Sequence, residues 1–262
     1  MSPFGWWIAI YFALAGLAAG LALSAVWQLL FGAGRAIASG RRQLFAAGLA
    51  LGLGSIALIL DLERPDAFWY ILVHANPDSW IARGSRIIMV FMLLAGLAWL
   101  LARGESRLPG ATRLVVVVCA LFAVLLAVYP ALVLHQERGR PLWHSPLLPF
   151  LFVVGAAHIA IVAHGAPRWL GGLGIAAEIL VAFGYVATAP VRPGQVLSHV
   201  DGPLVPLLVL AAVASWLIPL ALGGRDHRPG SRLMAIASVA VGCFALRSAV
   251  LLAGQADLPA PL

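Results

Sequence analysis

Three ionisable side chains fall where water does not reach: His158, Glu178 and Arg247 each stand inside a long apolar run. A buried carboxylate or guanidinium costs about 2.5–3.5 kcal/mol on insertion scales, so it faces a partner or a water-filled cavity. A Glu178–Arg247 ion pair is the economical expectation. His158, Glu178 and Arg247 then form either a proton path or a structural ion pair beside a core histidine. Their spacing leaves both readings open.

A second set of reactive groups sits at the ends of apolar runs rather than within them. It comprises Tyr11, Tyr129, Asp61, Glu63, His135 and Glu137, with Ile8 and Trp143 beside them. These types can hydrogen-bond a carbonyl headgroup and exchange protons with it. A quinone needs both at its oxygens, and its tail needs access to lipid. Tyr and Trp also collect at every membrane interface, so composition alone favours an aromatic belt over a binding site.

The elements that must position these groups are membrane spans. Of 262 residues, 62% are hydrophobic and 10% charged, against roughly 25% charged in an ordinary soluble domain. That balance argues against a water-soluble fold. About 20 apolar residues cross a bilayer, and eight such runs are predicted, at 6–31, 44–60, 81–102, 113–135, 146–164, 169–189, 202–222 and 232–254. The second is the shortest, and it stops sharply at Asp61. The first exceeds the roughly 7–15 apolar residues of a cleaved signal peptide, so it is expected to remain.

The formal charge of +7 rests on arginines alone, nearly all of them lying between apolar runs. It reads as topology rather than as a nucleic-acid surface. Ten arginines, Arg35, Arg41 and Arg42 among them, follow the odd-numbered spans, and six follow the even-numbered ones. Both termini are therefore expected outside, in the periplasm of a Gram-negative host. Short inner loops make adjacent helices antiparallel, with Gly16, Gly20, Gly48, Gly52 and Gly54 as faces for close approach. The fold class is an all-α integral membrane protein of two four-helix bundles, residues 1–136 and 137–262. Loop 61–80, rich in aromatic residues, is expected to lie along the outer interface of the first bundle.

Cys119 and Cys243 lie in apolar runs without CxxC spacing and read as small buried residues. Only His158 lies well inside a span, so a bis-histidine haem site is not expected. No metal site is encoded, and nothing resembles a P-loop, a Rossmann fingerprint, an HExxH or a nucleophile elbow.

Four stretches, in order along the chain, resemble the NrfD and polysulfide reductase membrane-subunit family. They are Trp7 to Phe12 followed by Gly16 to Gly20; Asp61-Leu62-Glu63-Arg64-Pro65 with Phe68-Trp69, Asn76-Pro77, Ser79-Trp80 and Gly84; Tyr129-Pro130 with Arg140-Pro141-Leu142-Trp143; and Leu246-Arg247 with Ala253-Gly254-Gln255. The resemblance implies a cofactor-free membrane subunit of a respiratory oxidoreductase. It would exchange electrons between quinone, menaquinone or ubiquinone, and a docked four-cluster iron–sulfur subunit of ferredoxin-like type. That partner usually serves a molybdopterin enzyme, and in some relatives a multihaem cytochrome. Carried over by position, the quinone site is Ile8, Tyr11 and Tyr129. Tyr129 matches the pattern, Tyr11 stands where the family has a histidine, and Ile8 replaces an amide side chain.

The expected function is thus quinone handling in a bacterial inner membrane, with the headgroup between Tyr11 and Tyr129. Asp61, Glu63, His135 or Glu137 would pass protons to the outer side. The rival readings are a transporter or proton channel built on Glu178 and Arg247, and a passive membrane anchor.

Overall fold

The computed structural model describes residues 5–62, 65, 69–70, 80–105, 107–137, 139–190, 204–222 and 229–255. Among them there is no strand. The helices are α1 (Trp6–Phe31), α2 (Arg35–Leu60), α3 (Trp80–Leu101), α4 (Gly110–His135), α5 (Leu148–His164), α6 (Arg168–Thr188), α7 (Leu204–Leu222) and α8 (Pro229–Gln255). Seven are long and apolar enough to cross a membrane, and α5 is a shorter apolar helix of 17 residues. The protein is a multi-pass, all-helical membrane protein.

The start of the second helix differs from the expectation. Helix α2 begins at Arg35, nine residues before the apolar run at Leu44, and spans 26 residues. Hydropathy locates the part that lipid can accept, whereas Arg and Ala continue a helix readily in water or at an interface. The shortest helix is therefore α5 and not the second.

Apolar character on every side makes α1 a buried helix. Its small residues Ala15, Ala18, Ala19, Ala22 and Ala25 are all fully buried. It packs on α2, α4, α5 and α8. Helices α2 and α3 pack on each other, as do α3 and α4, so the first four helices close a ring. Helix α5 packs on α6 and α8, α8 on α7, and the end of α7 on α6. The two groups meet where α1 and α4 touch α5 and where α1 touches α8.

Glycines set the closest of these approaches. A methyl group at Gly20 would lie 2.6 Å from Ile159 Cβ and 2.7 Å from the Ala156 carbonyl oxygen, so α1 and α5 touch through backbone. At Gly54 the side chains of Leu14 and Tyr11 come within 3.4 Å of such a methyl. Gly48 and Gly52, expected to serve the same end, meet nothing within 4 Å. They open instead onto a groove facing outward between α2 and α3.

The turn from α5 to α6 is built by Gly165, whose φ of 77° needs the left-handed region. The Ala166 N–H returns to the Ile161 carbonyl at 3.2 Å, ending α5 in a Schellman-type cap. Helix α7 is interrupted by a π-helical turn, Val213–Leu217. A π turn inserts one residue into the helical repeat and turns the side chains within it.

Candidate functional site

At the end of the first ring that holds the N-terminus, Tyr11 on α1 and Tyr129 on α4 meet edge to face. Their ring centroids are 6.4 Å apart at 65°. Both are buried; Tyr11 Oη makes no hydrogen bond of ordinary geometry among the described residues, and the Tyr129 hydroxyl lies near enough to couple with it. A buried hydroxyl without a partner costs on the order of 1–3 kcal/mol, so an unpaired phenol in a packed core marks a place where a ligand group or water fits. Gly84 on α3 makes the room for Tyr129, because a methyl there would overlap the phenol ring. Ile8, one turn before Tyr11, is buried and offers only apolar surface.

Arg247 reaches this site from α8 and not the carboxylate it was expected to pair with. Its Nη1 donates to the Phe12 carbonyl of α1, and its Nη2 donates to the Phe152 carbonyl of α5 at 3.1 Å. The guanidinium carbon stands 4.6 Å from the centre of the Phe152 ring. Gly16 supplies the space, since any side chain there would collide with the guanidinium. Helix carbonyls keep a second lone pair after accepting their own i+4 bond, and these spare pairs with an aromatic face solvate the buried cation.

Glu178 is meanwhile occupied by other donors. His158 Nδ1 lies 3.0 Å from Glu178 Oε2, and the Trp216 indole N–H donates to the same oxygen at 3.1 Å. Cys243 Sγ stands 3.8 Å from Oε1. The expected Glu178–Arg247 pair is therefore replaced by a His158–Glu178 pair, with Cys243 one turn before Arg247 on the same helix. Cys243 faces the Gly155 carbonyl of α5 and Glu178 of α6, while Arg247 has turned toward α1. Trp216 was not foreseen. It lies in the π turn of α7, and Gly242 of α8 lets that turn approach, because a methyl there would overlap Ser215.

His158 Nε2, the other ring nitrogen, is buried and unpartnered among the described residues. His158 also lines a cavity of about 610 Å³ at the opposite end of the molecule from Tyr11, walled by the α5–α6 turn and the facing ends of α7 and α8. His164, Arg168 and Arg232 line the same cavity, and Arg232 donates to the Ala163 carbonyl. Nothing in the hydropathy pattern signals this cavity, which depends on how four helix ends diverge.

The remaining site residues spread around the Tyr11 end. Asp61 caps α2 close to the start of α1, where a methyl at Gly5 would lie 2.9 Å from its Oδ1. Partial burial raises its carboxyl above the usual range, because the charged form loses hydration. His135, at the exposed end of α4, lies with Nδ1 3.1 Å from the Trp143 carbonyl oxygen, so Nδ1 carries the proton. The His144 ring stands 5.0 Å from that of His135. Glu137 is half-buried just beyond. Trp143 is fully buried, with its indole N–H donating to the Val250 carbonyl at 3.1 Å and its ring against Gly254. It locks the 141–144 turn onto α8. Glu63 and most of loop 61–80 lie outside the described residues; Trp69 and Tyr70, which are described, are exposed and stack at 4.1 Å. No group of three His, Cys, Asp or Glu able to hold a metal occurs among the described residues.

Comparison with known proteins follows the same division of the chain. The family model for polysulphide reductase, NrfD, matches residues 1–164, that is α1 through α5. The C subunit of selenate reductase from Mesobacillus selenatarsenatis is 31% identical over 105 residues, 40% of this chain and 25% of its own. The C chain of polysulfide reductase from Wolinella succinogenes is 26% identical over 193 residues, 60% of this chain and 55% of its own. Protein NrfD of Escherichia coli is 30% identical over 186 residues, 60% of this chain and 58% of its own. The chain thus spans between a quarter and three fifths of the length of the curated relatives it matches. With the matched region covering well over half of the sequence and holding both tyrosines, the chain belongs to the polysulphide reductase, NrfD family.

Proposed function

We propose that this chain is the quinone-handling membrane subunit of a multi-subunit respiratory oxidoreductase in a bacterial inner membrane. In this reading it spans the membrane eight times as two four-helix bundles, residues 1–136 and 137–262, with both termini in the periplasm. Electrons pass between menaquinone or ubiquinone and a docked four-cluster iron–sulfur subunit, which serves a molybdopterin enzyme or a multihaem cytochrome. The chain supplies no redox centre and is inactive alone.

The observation that carries the site is the Tyr11–Tyr129 contact, with no hydrogen bond of ordinary geometry at the buried Tyr11 hydroxyl. A quinone oxygen accepting from a phenol would supply the missing partner. Arg247, held by the Phe12 and Phe152 carbonyls, puts positive charge near Tyr11 and favours the anionic forms a quinone passes through on reduction. Ile8 and Trp143 line and brace the pocket, and Asp61, Glu63, His135 and Glu137 relay protons to the outer water. His158, Glu178 and Arg247 form the second proton path in this reading. Glu178 and Arg247 make no direct contact along it, and Cys243 stands between them.

Tyr129→Phe in the intact complex tests the site. Quinol-dependent turnover should fall at least about tenfold, the loss of one hydrogen bond to a charged or developing-charge oxygen. Unchanged turnover removes the site from this pair of tyrosines.

A further inference from the structure

The outward groove between α2 and α3 has not been used by this function. It is about 490 Å³ in volume, with Gly48 and Gly52 on one wall and Gly96 on the other. A methyl at any of the three would meet nothing within 4 Å, so no neighbouring helix fills it. From Leu44 to Ile56 the groove follows thirteen residues of α2, a rise of about 18 Å at 1.5 Å per residue. One leaflet's share of the hydrocarbon core is about 15 Å. The groove has the length of one acyl chain and the apolar walls to receive it.

Its mouth, at the end away from Tyr11, carries paired positive charge. Trp99 closes the groove there, with the Phe45 ring 5.9 Å away. The Arg41 guanidinium stands 5.4 Å from the Trp99 ring centre and that of Arg103 stands 4.8 Å from it. Arg41 Nε donates to the Trp99 carbonyl at 3.3 Å, which fixes the arginine at the mouth. Neither guanidinium pairs with a carboxylate among the described residues. Two guanidiniums held at one indole leave positive charge at the mouth that an anionic headgroup would neutralise.

We infer that the α2–α3 groove is a binding site for an anionic phospholipid, its acyl chain along Gly48, Gly52 and Gly96 and its phosphate between Arg41 and Arg103. A quinone tail or a partner's helix would use the apolar trough but leave the two arginines without a counter-charge. The inference does not depend on the quinone reading.

Native mass spectrometry of the full chain, released from nanodiscs of equal phosphatidylglycerol and phosphatidylcholine with identical acyl chains, tests it. Retained lipid should favour phosphatidylglycerol by roughly tenfold or more, as two arginines at a membrane surface allow. Arg41→Gln with Arg103→Gln should bring the ratio toward one while lipid is still retained. Gly48→Leu with Gly52→Leu, which fills the trough, should lose the retained lipid. Equal retention of the two lipids by the unaltered chain overturns the proposal without recourse to any variant. So does an arginine variant that keeps the preference, a stabilising effect of inorganic phosphate equal to that of the lipid, or a quinone or partner helix found in the groove instead.

Discussion

His158 Nδ1 and Glu178 Oε2 lie 3.0 Å apart in a site where neither side chain is more than 1% exposed. The carboxylate is also the acceptor for Trp216, so three helices, α5, α6 and α7, are tied through one side chain. Glu178→Leu leaves the imidazole and the indole N–H without a partner, and each such buried group costs about 1–3 kcal/mol. A marked drop in the thermal unfolding midpoint in detergent is expected. Glu178→Gln keeps an acceptor oxygen and removes only the charge and proton exchange. It should fold with a far smaller loss while proton release coupled to quinol turnover falls. Normal release in Glu178→Gln assigns the pair to structure alone.

Tyr129 stands over Gly84 with no space for a side chain there. Gly84→Ala should therefore displace the phenol and destabilise the protein by roughly 1–3 kcal/mol, as overpacking does. The two positions share a single contact, so they should not add. Gly84→Ala in a Tyr129→Leu background should cost much less than in the unaltered chain. Additive losses in thermal unfolding would show that Gly84 serves something other than Tyr129.

How far these relationships are legible in the sequence differs from residue to residue. The range of α1, Trp6–Phe31, follows directly from its apolar run. The depth of Glu178 and Arg247 is legible too, because insertion cost depends on position along the chain. Their partners are not, since these depend on the rotation of α6 and α8 and on glycines of other helices, Gly16 for the guanidinium and Gly242 for Trp216. The π turn in α7 escapes a 3.6-residue period altogether. Tyr11 and Tyr129 stand 118 residues apart in the chain, and in the sequence only the family resemblance brings them together. The start of α2 escapes a hydropathy reading, which marks lipid contact and not helix.

Asp61 offers a test by pH. Partial burial raises its carboxyl above the ordinary range, so the folded state prefers the protonated form. That contribution is present below the ordinary carboxylate pKa and is lost as pH rises through the raised value. Asp61→Asn should match the unaltered chain at the acid end and exceed it in unfolding midpoint above that window. Parallel midpoints across the whole range would show that burial places no demand on this carboxyl.

Gly242 is where α8 yields to the π turn of α7, a methyl there overlapping both the Ser215 hydroxyl and its backbone. Since the backbone cannot give way as a flexible side chain does, Gly242→Ala must push α7 outward. Trp216 then loses its 3.1 Å bond to Glu178. The expected cost is roughly 1–3 kcal/mol for the overpacking, with the lost hydrogen bond in addition. This makes a distinct prediction for the pair. Trp216→Phe should destabilise the unaltered chain by about 1 kcal/mol or more, because it strands part of a buried carboxylate's hydrogen bonding. In the Gly242→Ala background the bond is already broken, so the same change should cost little. Equal costs in the two backgrounds would mean that the π turn does not depend on Gly242 to aim Trp216 at Glu178.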